Sequence, residues 1–142
     1  MKETVLFVDD EIEILEIYEE SFPKYLPGIS IITAADGKTA IKKLKKYDVS
    51  LVVTNLKMQG INGFELMGYI RDHYPKVPVI VATALSSRDM QQLAREMGAA
   101  AYILKPFLIE DLANTILLAL KQKRVKSSVD LSTLPHVHIK PF

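Results

Sequence analysis

Five short apolar runs, each leading to a polar residue and then to a segment of helical period, restrict this chain to very few folds. The runs are Thr4 to Val8, Ile29 to Thr33, Val49 to Thr54, Pro78 to Ala82 and Ala101 to Leu104. Most are continuously apolar rather than alternating, as expected of strands covered on both faces. Strands that alternate with helices imply an α/β fold with a parallel sheet and helices on both of its faces.

The helical segments carry their apolar residues at helical spacing. The first has Ile12, Leu15, Ile17 and Tyr18, and is expected to end near Ser21, before Pro23 and Pro27-Gly28. The second opens at Asp36-Gly37, turns Ala40, Ile41 and Leu44 inward, and is expected to leave Lys42, Lys43, Lys45 and Lys46 to water. The third follows Gly63 with Phe64, Leu66, Met67 and Ile70, and stops before Pro75. The fourth is capped by Ser86 or Ser87, carries Met90, Leu93, Ala94 and Met97, and ends at Gly98. The last runs from about Ile109 to Lys123, with Leu112, Ile116 and Leu120 inside. Periodicity is lost from Val125 onward, so residues 1–124 read as one domain and 125–142 as a tail or the start of a linker.

Composition narrows the function. Of 142 residues, 49% are hydrophobic and 25% charged, enough for a real core. The net charge of +1 gives no reason to expect a nucleic-acid or membrane surface. With no cysteine, thiolate metal sites and cysteine nucleophiles are excluded. The apolar run near the amino terminus is too short for a signal peptide or a membrane span, so a soluble cytoplasmic protein is expected.

The polar residues at the strand ends carry the chemistry. Asp9-Asp10, Asn55, Thr83 and Lys105 all fall at carboxyl ends of expected strands. In a parallel sheet those ends share one edge, where ligands bind. Singly, each residue has an ordinary structural use as a helix-starting acid, a cap or a surface lysine. Together they place two carboxylates, an amide, a hydroxyl and an ammonium in one cleft. Paired carboxylates suit Mg²⁺, while a hydroxyl and an ammonium suit phosphate oxygens.

These residues resemble the receiver domain of bacterial two-component response regulators, of the chemotaxis-receiver type. The resemblance runs from about Thr4 to Lys123. It rests on Val8-Asp9-Asp10-Glu11, Gly60-Ile61-Asn62-Gly63-Phe64-Glu65-Leu66, Val81-Ala82-Thr83-Ala84, Gly98-Ala99-Ala100-Ala101-Tyr102 and Lys105-Pro106-Phe107. It implies a flavodoxin-like doubly wound five-stranded parallel sheet in the order 2-1-3-4-5 with five helices. Asp9 and Asp10 match the family's metal-binding acids, and the backbone carbonyl of Lys57 a further Mg²⁺ ligand. Thr83 matches the switch hydroxyl, Tyr102 the aromatic that swings inward with it, and Lys105 the lysine that pairs with the acceptor and its phosphate. The implied role is phosphorelay signalling and not an enzyme activity. The implied partners are a sensor histidine kinase and an output protein on the helix 4–strand 5–helix 5 face, with a weak homodimer as a further option.

The phosphoacceptor aspartate of that family falls on Asn55. An amide oxygen is uncharged and a poor nucleophile, so no aspartyl-phosphate is expected, and the metal site loses a negative ligand. Two explanations stay open: a degenerate receiver acting as a phosphorylation-independent interaction module, or an engineered Asp-to-Asn change in an ordinary one. Gln59 stands where the family usually has proline. Leu108 replaces a usual polar cap. Ala99-Ala100-Ala101 lacks the acid that supports dimerisation in one DNA-binding subfamily. A dehalogenase-like phosphatase would want Asp-x-Asp after the first strand, and Asp9-Asp10-Glu11-Ile12 is a different pattern. No glycine-rich phosphate loop follows that strand either. In the tail, His136 and His138 would share a face if extended, a spacing that is usually incidental.

Overall fold

In the computed structural model, residues 2–125 are described. Five strands and five helices alternate: β1 (Thr4–Val8), α1 (Ile12–Tyr25), β2 (Ser30–Ala34), α2 (Gly37–Lys46), β3 (Leu51–Thr54), α3 (Gly63–His73), β4 (Val79–Thr83), α4 (Arg88–Glu96), β5 (Ala101–Leu104) and α5 (Ile109–Val125). The strands form one all-parallel sheet in the order β2-β1-β3-β4-β5. This is the flavodoxin-like order that the resemblance implies.

Successive side chains of a strand point to opposite faces, and both faces here are buried. Val5 and Phe7 pack with α1 and α5 through Leu15, Phe22, Leu112 and Ile116. Leu6 and Val8 face the other way, with Leu44, Leu66, Ile70 and Ala94. That two-sided burial explains why the strands lack alternation.

Helix α1 departs from expectation at its end. It continues through Pro23 to Tyr25, although Pro23 cannot donate a backbone hydrogen bond. Tyr18, Phe22 and Leu26 are buried at four-residue spacing, and Phe22 stacks on Phe7 with ring centroids 4.6 Å apart. Burying Phe22 is worth about 1.5–3 kcal/mol, comparable to the cost of the missing bond. The same helix leaves Ile12 and Ile17 exposed. In α4, Ala94 alone is buried, while Met90 and Leu93 face outward.

Other ends follow the local chemistry. Ser87 caps α4 by accepting the Met90 N–H, and Gly98 takes the left-handed conformation just beyond the helix, with φ of 93°. Asp36 caps α2 through the Thr39 N–H at 2.7 Å. Of the α2 lysines, Lys43 turns back to the Thr33 carbonyl instead of facing water. Lys123 donates to the Ser50 carbonyl at 3.1 Å. The tail, with His136 and His138, lies outside the described residues.

Candidate functional site at the carboxyl edge of the sheet

Backbone bonds carry the sheet's register one step past several strands. Asp9 N–H donates to the Ala34 carbonyl, Asn55 N–H to the Val8 carbonyl and Lys105 N–H to the Thr83 carbonyl, at 3.1, 3.0 and 2.8 Å. Asp9, Asn55, Thr83 and Lys105 therefore come together at one edge, as their positions in the sequence imply.

Asp9 is buried, and both of its oxygens are engaged. Oδ1 accepts the Glu11 N–H at 3.0 Å, and Oδ2 pairs with the Lys105 ammonium. The Lys105 side chain is only 14% exposed, so this is a largely desolvated ion pair. Asp10, the next residue, is exposed.

Asn55 is buried, and its amide orientation is fixed by two backbone partners. Oδ1 accepts the Leu56 N–H at 2.9 Å. Nδ2 donates toward the Lys57 carbonyl at 3.4 Å, which is long for such a bond. The loop behind Asn55 is packed against α3. A Cβ on Gly63 would lie 2.2 Å from the Asn55 carbonyl oxygen, so only glycine fits there. Asn62 then caps α3 in a reciprocal box with Glu65, at 2.9 and 3.1 Å. The Asn-x-x-Glu spacing of residues 62 to 65 is the sequence signal for that box.

The second cluster is the hydroxyl pair. Thr83 is buried, and its Oγ1 accepts the Leu85 N–H at 3.4 Å. Tyr102 is 2% exposed, and its hydroxyl donates to the Leu85 carbonyl at 2.6 Å. Thr83 and Tyr102 are thus joined through one residue of the β4–α4 loop. Leu85 takes part through its backbone alone, so no side-chain signal in the sequence points to it. Burial pushes the Tyr102 phenol above its ordinary value. Tyr18, beside the site, is also raised, first by burial and then by Asp9 and Glu11.

A family model described as "Response regulator receiver domain" matches residues 5–117. The chain belongs to the response regulator receiver domain family. It is 31% identical to sporulation initiation phosphotransferase F of Bacillus subtilis, over 82% of this chain and 92% of that one. It is 34% identical to the probable transcriptional regulator ycf27 of Porphyridium aerugineum, over 95% of this chain. The chain spans about half of that relative's length, 54%. The crystal structure of a CheY-like receiver domain protein from Methanospirillum hungatei JF-1 superposes with a TM-score of 0.82. That likeness covers 89% of this chain and 99% of the other, at 24% identity, and shows the shared fold.

Receiver domains bind Mg²⁺ at the acceptor site, typically interact with sensor histidine kinases and are generally non-enzymatic. No helix among the described residues is long and apolar enough to cross a membrane. In this receiver the donor set fits a tightly held cation poorly. Among the described residues no group of three or more acidic, histidine or cysteine side chains is placed to hold a metal. Asp9 is committed to Lys105, and the Lys57 carbonyl faces an amide N–H.

Proposed function

We propose that this receiver serves two-component signalling through protein contact, and that it does not accept a phosphoryl group at position 55. The observation behind this reading is the buried Asn55, which occupies the acceptor position and spends both halves of its amide on the backbone. A phosphoryl acceptor must offer an anionic oxygen, and the Asn55 Oδ1 is neutral and already hydrogen-bonded. The chain then acts as a degenerate receiver, a phosphorylation-independent interaction module of the cytoplasm without enzyme activity.

In this reading Asp9, Asp10 and the Lys57 carbonyl are the remaining cation-facing oxygens. Thr83 and Tyr102 are the switch pair, and Lys105 neutralises Asp9. The domain spans residues 1–124. The output partner docks on α4, β5 and α5, where Met90, Leu93, Leu104 and Leu117 are exposed, together with Leu108 in the loop before α5. A sensor histidine kinase remains a docking partner by family membership, and a weak homodimer would use the same apolar surface. Direct nucleic-acid contact has no support in a net charge of +1.

Mg²⁺ titration separates this site from an ordinary receiver. The chain is expected to bind Mg²⁺ about tenfold more weakly than its Asn55→Asp variant, because one carboxylate ligand is missing. Equal affinities in calorimetry would count against the reading, as would acid-labile phosphate on the unaltered chain after treatment with acetyl phosphate.

A further inference from the structure

The sheet has an open side edge, distinct from its carboxyl edge. β2 is the outermost strand and pairs with β1 alone. The Ser30 N–H donates to the Glu3 carbonyl, and the Ala34 carbonyl accepts the Asp9 N–H. Residues 30, 32 and 34 therefore turn their backbone groups toward β1. Backbone groups alternate along a strand, so those of Ile31 and Thr33 point off the sheet. Ile29-Ser30-Ile31-Ile32-Thr33 is mostly β-branched, carries no charge and contains no proline. An uncharged edge of that composition is a template for a further strand.

A second copy of β2 fits this edge. Two such strands can pair antiparallel about Ile32, with Ile31 of each opposite Thr33 of the other. The backbone groups that point off the sheet then meet, and each pair exchanges both of its bonds. Thr33 is where the edge is already occupied. Lys43 of α2 donates its ammonium to the Thr33 carbonyl. From α1, Glu19 accepts the Thr33 hydroxyl at 2.8 Å. The two helices pack on opposite faces of the sheet, so Thr33 is held from both. The Lys43 ammonium takes the acceptor that the second copy's Ile31 N–H needs, and it sets a charge at the edge.

The flanking helices act in the same sense. Antiparallel pairing of two β2 edges relates the copies by a two-fold axis normal to the sheet, so each helix meets its own counterpart. Helix α2 carries Lys38, Lys42, Lys43, Lys45 and Lys46 and no acid. The exposed face of α1 carries Glu13, Glu16, Glu19 and Glu20. Like charges would face each other on both sides of the joined sheet.

We infer that the β2 edge is a self-association surface for a second copy of this chain, and that Lys43 keeps it shut by occupying the Thr33 carbonyl. Lys43 is then a guard of the sheet and not one more solvated lysine of α2. The inference is independent of what position 55 accepts.

The test is amide hydrogen exchange at Ile31 and Thr33, read at low and high protein concentration in about 0.5 M NaCl, where exposed like charges are screened. In the unaltered chain and in Lys43→Arg, which keeps a donor, both amides should exchange at rates independent of concentration. In Lys43→Met, and in Lys43→Ala as a second variant should the first not fold, both should slow at least about tenfold at high concentration, as association protects them. Sedimentation velocity should show the matching rise in mass. Concentration-dependent slowing at Ile31 and Thr33 in the unaltered chain overturns the inference, and so does its absence in the folded variants. Association of the variants that leaves these two amides fast is pairing through another face and overturns it as well.

Discussion

At the scale of single residues, Asp9 and Lys105 are the most consequential pair after Asn55. Asp9 is buried, and 96 positions of sequence separate it from its counter-ion. Removing Lys105 leaves a desolvated carboxylate with one backbone N–H for support. Lys105→Ala is expected to cost about 2–3 kcal/mol in urea unfolding, toward the low end for broken buried pairs because the lysine is partly exposed. Lys105→Arg should recover most of that. A loss below about 0.5 kcal/mol would mean that water, not Lys105, satisfies Asp9. The sequence showed these residues as separate strand ends of suitable chemistry. It did not show that Asp9 would be tied to Lys105, or that the Asn55 amide would face the Lys57 carbonyl. The first is a contact across the sheet edge that no local pattern encodes, and the second depends on how the loop after β3 turns.

At the scale of elements, the β3–α3 connection holds the site most tightly. Gly63 begins α3 where its backbone passes the Asn55 carbonyl, and its N–H donates to the Leu56 carbonyl at 2.8 Å. Gly63→Ala must push that loop away, which would cost about 2 kcal/mol or more and move Asn55. Thermal unfolding together with amide shifts at Asn55 and Leu56 would check this; an unchanged melting point would show that the loop yields freely. Elements were legible where pattern and punctuation agreed, as in β1, α3 and β5. They were not where tertiary packing overrode a local signal. Pro23 marks a helix end by its chemistry, yet the buried Phe22 and Leu26 keep α1 going past it. Ile12, Ile17, Met90 and Leu93 look like core residues by type, but their side chains lie on the outer faces of α1 and α4. Periodicity identifies a helix more firmly than it identifies which flank of the helix is covered.

At the scale of the whole molecule, the buried tyrosines predict an alkaline limit. Tyr18 is raised above its ordinary value of 10.0 by burial and by the neighbouring carboxylates. A folded-state value above the unfolded one means the stabilisation is complete below about pH 10 and is lost as pH rises toward the folded value. Urea unfolding between about pH 9 and about pH 11.5 should therefore show falling stability, by up to about 1.4 kcal/mol per pH unit per linked group. Tyr18→Phe should flatten the fall, and an unchanged slope would remove Tyr18 as its cause. The parallel sheet was legible in the sequence because strands covered on both faces read as continuous apolar runs, whereas the five-strand order came only from the family resemblance. That Thr83 and Tyr102 both bond the backbone of Leu85 depends on β4, its loop and β5 meeting in space, and only the folded chain shows that.

The central claim is that this chain accepts no phosphoryl group at position 55, because the Asn55 Oδ1 is a neutral amide oxygen already bonded to the Leu56 N–H. Intact mass after incubation with acetyl phosphate and Mg²⁺, on this chain and its Asn55→Asp variant side by side, tests it most directly. The account predicts a phosphoryl-sized gain in the variant and none in the chain with Asn55. A gain in the unaltered chain, or none in either, would contradict it.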